Sequence, residues 1–245
     1  VRPDVLILGC GRSGTSIFWE LFDGLPGYRG ASEPTVGELR QLPRDLPLAV
    51  KVPRPHPAHP APPGSPLPME VLDEVVPEPR VVFWQVRHPL DAVASLRVGI
   101  SRGWAHHPRP PDWERWLDRS LVERCAHHWA TVNGPGYDEV RRVAVINRFE
   151  DMIEDPLGCA RRAVAVAGRD PDGLADVLAA WADRVRDTDD ERFVEARTSR
   201  RHSRADHTRR VGRWTENLTT RDVEAVVPIV AEAAAKVGYE LPGSP

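Results

Sequence analysis

Very little in this chain could cross-link it or carry it into a membrane. Only three cysteines, Cys10, Cys125 and Cys159, occur in 245 residues. They are too few and too scattered for a disulfide framework or a zinc site, a usage that fits a reducing cytoplasm and inert thiols. No apolar run approaches the ~20 residues needed to span a bilayer. The apolar stretch at 5–8 runs into a glycine turn, so it reads as a strand and not as a signal peptide. Basic charge is also missing in bulk: 33 Lys and Arg against 36 Asp and Glu leave a net charge of −3 and a pI near 6.3. That excludes the broad positive field of a nucleic-acid binder. Any anion site must come from local clustering of the basic residues, which are nearly all arginine. No internal repeat is visible, and one α/β domain over residues 1–245 is the expectation at this length.

What is present begins at Val5-Leu6-Ile7-Leu8-Gly9-Cys10-Gly11-Arg12-Ser13-Gly14-Thr15-Ser16. Four apolar residues suit a central parallel strand covered on both faces. Glycines at 9, 11 and 14 permit backbone angles and close approaches that a Cβ would block, and the helix that follows offers free amides and the positive end of its dipole. This is the layout of a phosphate cradle. Against the pattern G-x-x-x-x-G-K-[ST] the glycines fit and Ser16 fits, but Thr15 stands where the lysine should be. That lysine serves the β and γ phosphates of a nucleoside triphosphate, so the usual triphosphate device is lost while Arg12 supplies a guanidinium inside the turn.

Arg12-Ser13-Gly14-Thr15-Ser16 resembles the 5′-phosphosulfate loop of the sulfotransferase superfamily, which reads roughly (K/R)-S-G-T-(T/S) after a strand. Further along, Arg87-His88-Pro89-Leu90-Asp91 follows an apolar strand at 80–86 and Ser95 lies eight residues beyond Arg87. This is similar to the family element that holds the 3′-phosphate of 3′-phosphoadenosine 5′-phosphosulfate (PAPS). A bidentate arginine and a hydroxyl are suitable donors there. The segment Arg148-Phe149-Glu150-Asp151-Met152 resembles the family's R-(Y/F)-E-D-(L/M) strand end, where the aromatic lies near the adenine. Arg209-Arg210-Val211-Gly212-Arg213-Trp214 resembles the late G-x-W element with its preceding basic residues. The cofactor-binding residues implied are Gly11, Arg12, Ser13, Gly14, Thr15, Ser16, Arg87, Ser95, Phe149, Arg209, Arg210, Gly212 and Trp214.

The motif spacing is most similar to tyrosylprotein-type and bacterial members, and the resemblance to the tyrosylprotein enzymes implies Glu33 as general base on an acceptor hydroxyl. The alternative is that Ser32-Glu33-Pro34 caps a helix running through Glu38 to Gln41. Lys51 ends the short apolar strand 48–52, where α/β sheets bind ligands, and the family implies a contact to the transferred sulfonate. Arg12 belongs with these two, and His88 is the second candidate base.

Around these motifs, residues 53–68 carry eight prolines and read as a stiff surface loop. Residues 69–76 read as a short helix, 112–131 and 155–167 as longer helices, 171–184 as another, and 219–237 as a final helix interrupted at Pro228. Segments 97–136, rich in tryptophan, and 186–208, densely charged, read as acceptor-side and lid segments. The expected architecture is a three-layer P-loop-like domain with a parallel sheet of about four or five strands flanked by helices. The expected activity is transfer of a sulfuryl group from PAPS to a hydroxyl of a small-molecule, sugar or phenolic acceptor. The product would be 3′,5′-adenosine bisphosphate, with no metal, no nucleic acid and no membrane. Two alternatives stand beside it, an ATP-dependent small-molecule kinase with a degenerate loop and a non-catalytic nucleotide-binding domain.

Overall fold

Alternate residues of the first strand face opposite ways, and that alternation builds two cores on one sheet. In the computed structural model, which describes residues 2–52, 67–99, 109–187 and 211–243, β1 (Asp4–Gly9) is buried along its whole length. Leu6 and Leu8 join Val50, Val82, Trp84, Leu90, Trp129 and Val226 on one face. Val5 and Ile7 join Phe18, Phe22, Ala49, Phe83, Met152, Val164 and Trp181 on the other. β2 (Arg29–Ser32), β3 (Leu48–Lys51), β4 (Arg80–Val86) and β5 (Ala144–Arg148) complete a five-stranded sheet in the order β2-β3-β1-β4-β5. Every pairing is parallel.

The helices are α1 (Thr15–Asp23), α2 (Val36–Gln41), α3 (Met69–Val75), α4 (Pro89–Gly99), α5 (Leu121–Thr131), α6 (Phe149–Glu154), α7 (Pro156–Val166), α8 (Ala175–Asp187), α9 (Trp214–Asn217) and α10 (Thr220–Lys236). α1, α6, α7 and α8 cover the face of Val5 and Ile7, and α4, α5 and α10 cover the other. The α/β three-layer expectation therefore holds. Parallel strands place all their carboxyl ends along one edge, and the phosphate loop, Ser32, Lys51, Arg87 and Phe149 all lie at that edge.

Several elements differ from their expectation. Ser32-Glu33-Pro34 does not cap α2; Thr35 does, in a reciprocal capping box with Glu38. The helix expected over 112–131 is broken. Trp113–Trp116 forms one 3-10 turn, and Ser120 restarts the chain as the cap of α5 by bonding Glu123. α10 is not interrupted at Pro228. Pro228 lies on the exposed face, as does Glu224 four residues earlier, so the carbonyl that loses its partner faces water. All three cysteines are buried and free, and burial pushes the thiols up, to about 12 for Cys125 and Cys159. No described helix is long and apolar enough to cross a membrane. The proline-rich loop at 53–66, the 100–108 part of the acceptor-side segment and the charged segment 188–210, with Arg209 and Arg210, lie outside the described residues.

Candidate functional site

The loop between β1 and α1 is fixed by what it packs on. Gly9 lies against β4, where a Cβ would come within 2.2 Å of the Gln85 carbonyl oxygen, so no side chain fits. Gly14, at φ 87, sits over Phe149 and Met152, and a Cβ there would come within 2.6 Å of the Phe149 ring. Between them the Ser13 backbone carbonyl accepts a hydrogen bond from the Gln85 side-chain Nε2, 2.9 Å, and the Gln85 Oε1 accepts from the Asn147 Nδ2, 2.6 Å. Cys159 donates in turn to Asn147. Gln85 of β4 and Asn147 of β5 thus strut the loop from beneath, a support that sequence reading missed. A lone Gln at the end of an apolar strand is its only signal. Gln85→Leu would strand the buried Ser13 carbonyl and the half-buried Asn147 amide, and unfolding in urea should show a loss of about 2 kcal/mol.

Two groups of charged side chains meet at the loop. In the first, Arg12 stands at φ 67, in the left-handed region that a non-glycine residue enters only under constraint. Its Nε donates to the Ser95 hydroxyl, 3.1 Å, while Arg87 donates to the Arg12 carbonyl, 3.2 Å. Arg87 is 4 % exposed and its guanidinium lies 4.2 Å over the Phe149 ring. Burial and the neighbouring Arg87 charge push Arg12 down to about 10, so at neutral pH it remains charged at a cost that an anion beside it would relieve. The Ser13 hydroxyl is fully buried and has no hydrogen-bond partner among the described residues.

In the second group Lys51, buried at 5 %, bonds Glu33, 2.7 Å, and donates to the Ser16 hydroxyl, 2.9 Å. Glu33 is exposed and stands at φ 52, with its amide donating to the Lys51 carbonyl. Val52, just past Lys51, has φ 36 and donates to the Ile7 carbonyl. Arg12, Glu33 and Val52 are the non-glycine residues with positive φ among the described residues, and all three lie at the carboxyl edge of the sheet. Backbone strain gathered at one place points from geometry to function.

The remaining candidates fall into different positions. His88 is turned away from the Glu33–Lys51 pair. Its amide donates to Glu150, its Nε2 lies 3.3 Å from the Glu240 carbonyl, and its ring stacks on Trp214 and meets the Tyr239 ring edge-on. Tyr239 donates its hydroxyl to Glu150, and burial with that carboxylate raises its pKa. His88 thus packs in a knot that ties Tyr239 and Glu240, just after α10, to the end of β4. Phe149, 3 % exposed, is the floor under Gly14 and the platform of Arg87. That burial removes the open ring face that stacking on an adenine requires. Gly212 has φ 76 and is followed by α9, where Trp214 is half-buried. Thr15 is buried at the start of α1. Among the described residues no group of three or more His, Cys, Asp or Glu could hold a metal ion.

By sequence, no family model and no curated protein matches the chain. By structure, it superposes on a mouse sulfotransferase, SULT7A1, complexed with PAP, at a TM-score of 0.57 and 14 % identity over 95 % of this chain and 84 % of the other. The chain has the sulfotransferase fold. A sulfotransferase from Mycobacterium avium, STF9, is similar over the whole of this chain and 79 % of its own, at a TM-score of 0.53 and 16 % identity. Within the sulfotransferase fold of this chain, the residues brought to one edge are Arg12, Ser13, Ser16, Glu33, Lys51, Arg87 and Ser95.

Proposed function

We propose that the protein transfers the sulfuryl group of PAPS to a hydroxyl acceptor, and the observation that carries this reading is the joining of two arginine sites. Arg12, inside the phosphate loop, and Arg87, at the end of β4, are tied through Ser95 and a backbone carbonyl. A donor with phosphates at both ends of its ribose suits two such sites side by side. The residues present fit it on three counts. Gly9 and Gly14 let the loop lie directly on Gln85 and Phe149, where a Cβ would clash, a buried Ser13 hydroxyl has no hydrogen-bond partner among the described residues, and burial with the neighbouring Arg87 charge lowers Arg12. The PAP bound to the mouse neighbour agrees with this chemistry.

In this reading Gly11, Arg12, Ser13, Gly14, Thr15 and Ser16 hold the 5′-phosphate end, and Arg87 with Ser95 holds the 3′-phosphate. Gly212 and Trp214 stand at the nucleotide's far side. PAPS supplies an activated sulfuryl group whose S–O bond to the 5′-phosphate breaks as a new S–O bond to the acceptor oxygen forms. Glu33, exposed and paired with Lys51, takes the acceptor's proton. Lys51, fixed between Glu33 and Ser16, places its positive charge where the transferring oxygens gather negative charge. The acceptor is a small-molecule, sugar or phenolic hydroxyl, and the site of action is the cytoplasm.

Calorimetry with 3′,5′-adenosine bisphosphate in EDTA tests the donor. Binding at micromolar concentration, with Mg-ATP at least tenfold weaker (about 1.4 kcal/mol), is the expected result. Tight Mg-ATP binding with no bisphosphate affinity would replace this reading with a kinase. Bisphosphate binding without sulfation of any member of a broad hydroxyl panel would replace it with a nucleotide-binding module.

A further inference from the structure

A carboxylate buried beside an anion site is a contradiction unless something absorbs its charge. Asp91, in the first turn of α4, is 1 % exposed, four residues after Arg87 and four before Ser95. The i, i+4 spacing puts Asp91 and Ser95 on one face of the helix, and Ser95 is the residue that accepts from Arg12. An unpaired carboxylate here would repel the phosphates that the site is proposed to hold and would itself resist burial. Both oxygens of Asp91 are instead occupied by backbone amides from the other end of the chain. Gly212 donates at 2.7 Å and Trp214 at 2.9 Å. The turn so held is tight: Gly212 has φ 76, the Arg213 side chain between the two amides is 5 % exposed, and Asn217 donates to the Arg213 carbonyl at 2.8 Å. Trp214 then stacks on His88, next in sequence to Arg87.

We infer that Asp91 is a positioning residue for nucleotide selectivity, a latch that holds the Gly212–Trp214 turn on the helix carrying Ser95 and so shapes the 3′-phosphate side of the site. The inference rests on the proposed PAPS chemistry. Its physical content is a division of labour. The loop side is strutted by Gln85 and floored by Phe149, with no part for Asp91. The Arg87–Ser95 side borrows its outer wall from a segment over a hundred residues away, and two charge-assisted hydrogen bonds make that connection. Asparagine has the same shape but only one acceptor oxygen, and its NH2 would face one of the two amide donors.

The experiment compares the affinity of full-length wild type and Asp91→Asn for 3′,5′-adenosine bisphosphate and for 5′-AMP, which lacks the 3′-phosphate. The variant should weaken bisphosphate binding about tenfold and 5′-AMP binding by less than about threefold, so that the preference for the 3′-phosphate falls. A general loosening of the fold would weaken both ligands alike, and that result, or an unchanged preference in folded protein, overturns the inference. If the variant does not fold, amide exchange in the wild type decides instead. The bisphosphate should slow exchange at Gly212 and Trp214 more than 5′-AMP does, and equal protection by the two overturns it. Wild type that binds 5′-AMP and bisphosphate equally overturns the donor reading on which the inference stands, an outcome visible before any variant is made.

Discussion

Glu33→Gln should lose between about 10² and 10⁴ of turnover, the range for removing a general base, while its affinity for 3′,5′-adenosine bisphosphate stays within about threefold of wild type. Glutamine keeps the size of the side chain and leaves a carbonyl oxygen for Lys51, which now bonds the carboxylate at 2.7 Å. Only the ability to take a proton goes. The backbone around it is set independently, through the Glu33 amide on the Lys51 carbonyl, so the substitution has no reason to disturb the loop. A change confined to the chemical step lowers kcat with little effect on ground-state binding. Single-turnover sulfation measured beside equilibrium binding of the bisphosphate separates the two. Turnover within about threefold of wild type would remove Glu33 from the role. The role would then pass to His88 or another residue, although the half-buried His88 ring stacks on Trp214, meets Tyr239 edge-on and sets its Nε2 against the Glu240 carbonyl.

How much of this was legible beforehand depended on where the physical signal lay. β1, β3 and β4 are buried on both faces, and continuous apolar runs such as Val5–Leu8 and Val81–Trp84 announce such strands directly. β2 carried no such run. Arg29-Gly30-Ala31-Ser32 is an edge strand in which only Ala31 is buried, so its hydrogen bonds to β3 form without a hydrophobic pattern to reveal them. α6 was hidden for a different reason. It starts at Phe149 directly from β5 with no side-chain cap, and its six residues are too few for a period to show. The charged positions followed the same logic. Arg12, Arg87 and Ser95 belong to local motifs, whereas Gln85, Asn147, Asp91 and Glu150 act through partners dozens to more than a hundred residues away. Spacing within a motif cannot report a contact of that kind, and the resemblance that singled out Glu150 gave no indication that it bonds His88 and Tyr239.

The same long-range wiring explains why the cationic half of the site should fail differently from the acidic half. Arg87→Ala should weaken binding of 3′,5′-adenosine bisphosphate by about 100-fold, equivalent to about 2.7 kcal/mol, the size expected when charge-assisted, bidentate contacts are lost. Its affinity for 5′-AMP should fall much less. Three features set the magnitude. Arg87 is almost wholly buried, its guanidinium lies on the Phe149 ring, and it donates to the carbonyl of Arg12, so the charge is presented without a further ordering cost when an anion arrives. Removing it also relieves the repulsion that, with burial, holds Arg12 at about 10. Arg12 should therefore become an easier cation to keep, and the 5′ end of the site should survive. Arg87→Lys distinguishes charge from geometry, since an ammonium restores the charge but lacks the planar fork and its stacking on Phe149. Lysine should recover less than about a tenth of the lost affinity. Full recovery by lysine would mean that net charge alone holds the phosphate, and an Arg87→Ala variant that binds both nucleotides as wild type does would place the 3′-phosphate elsewhere.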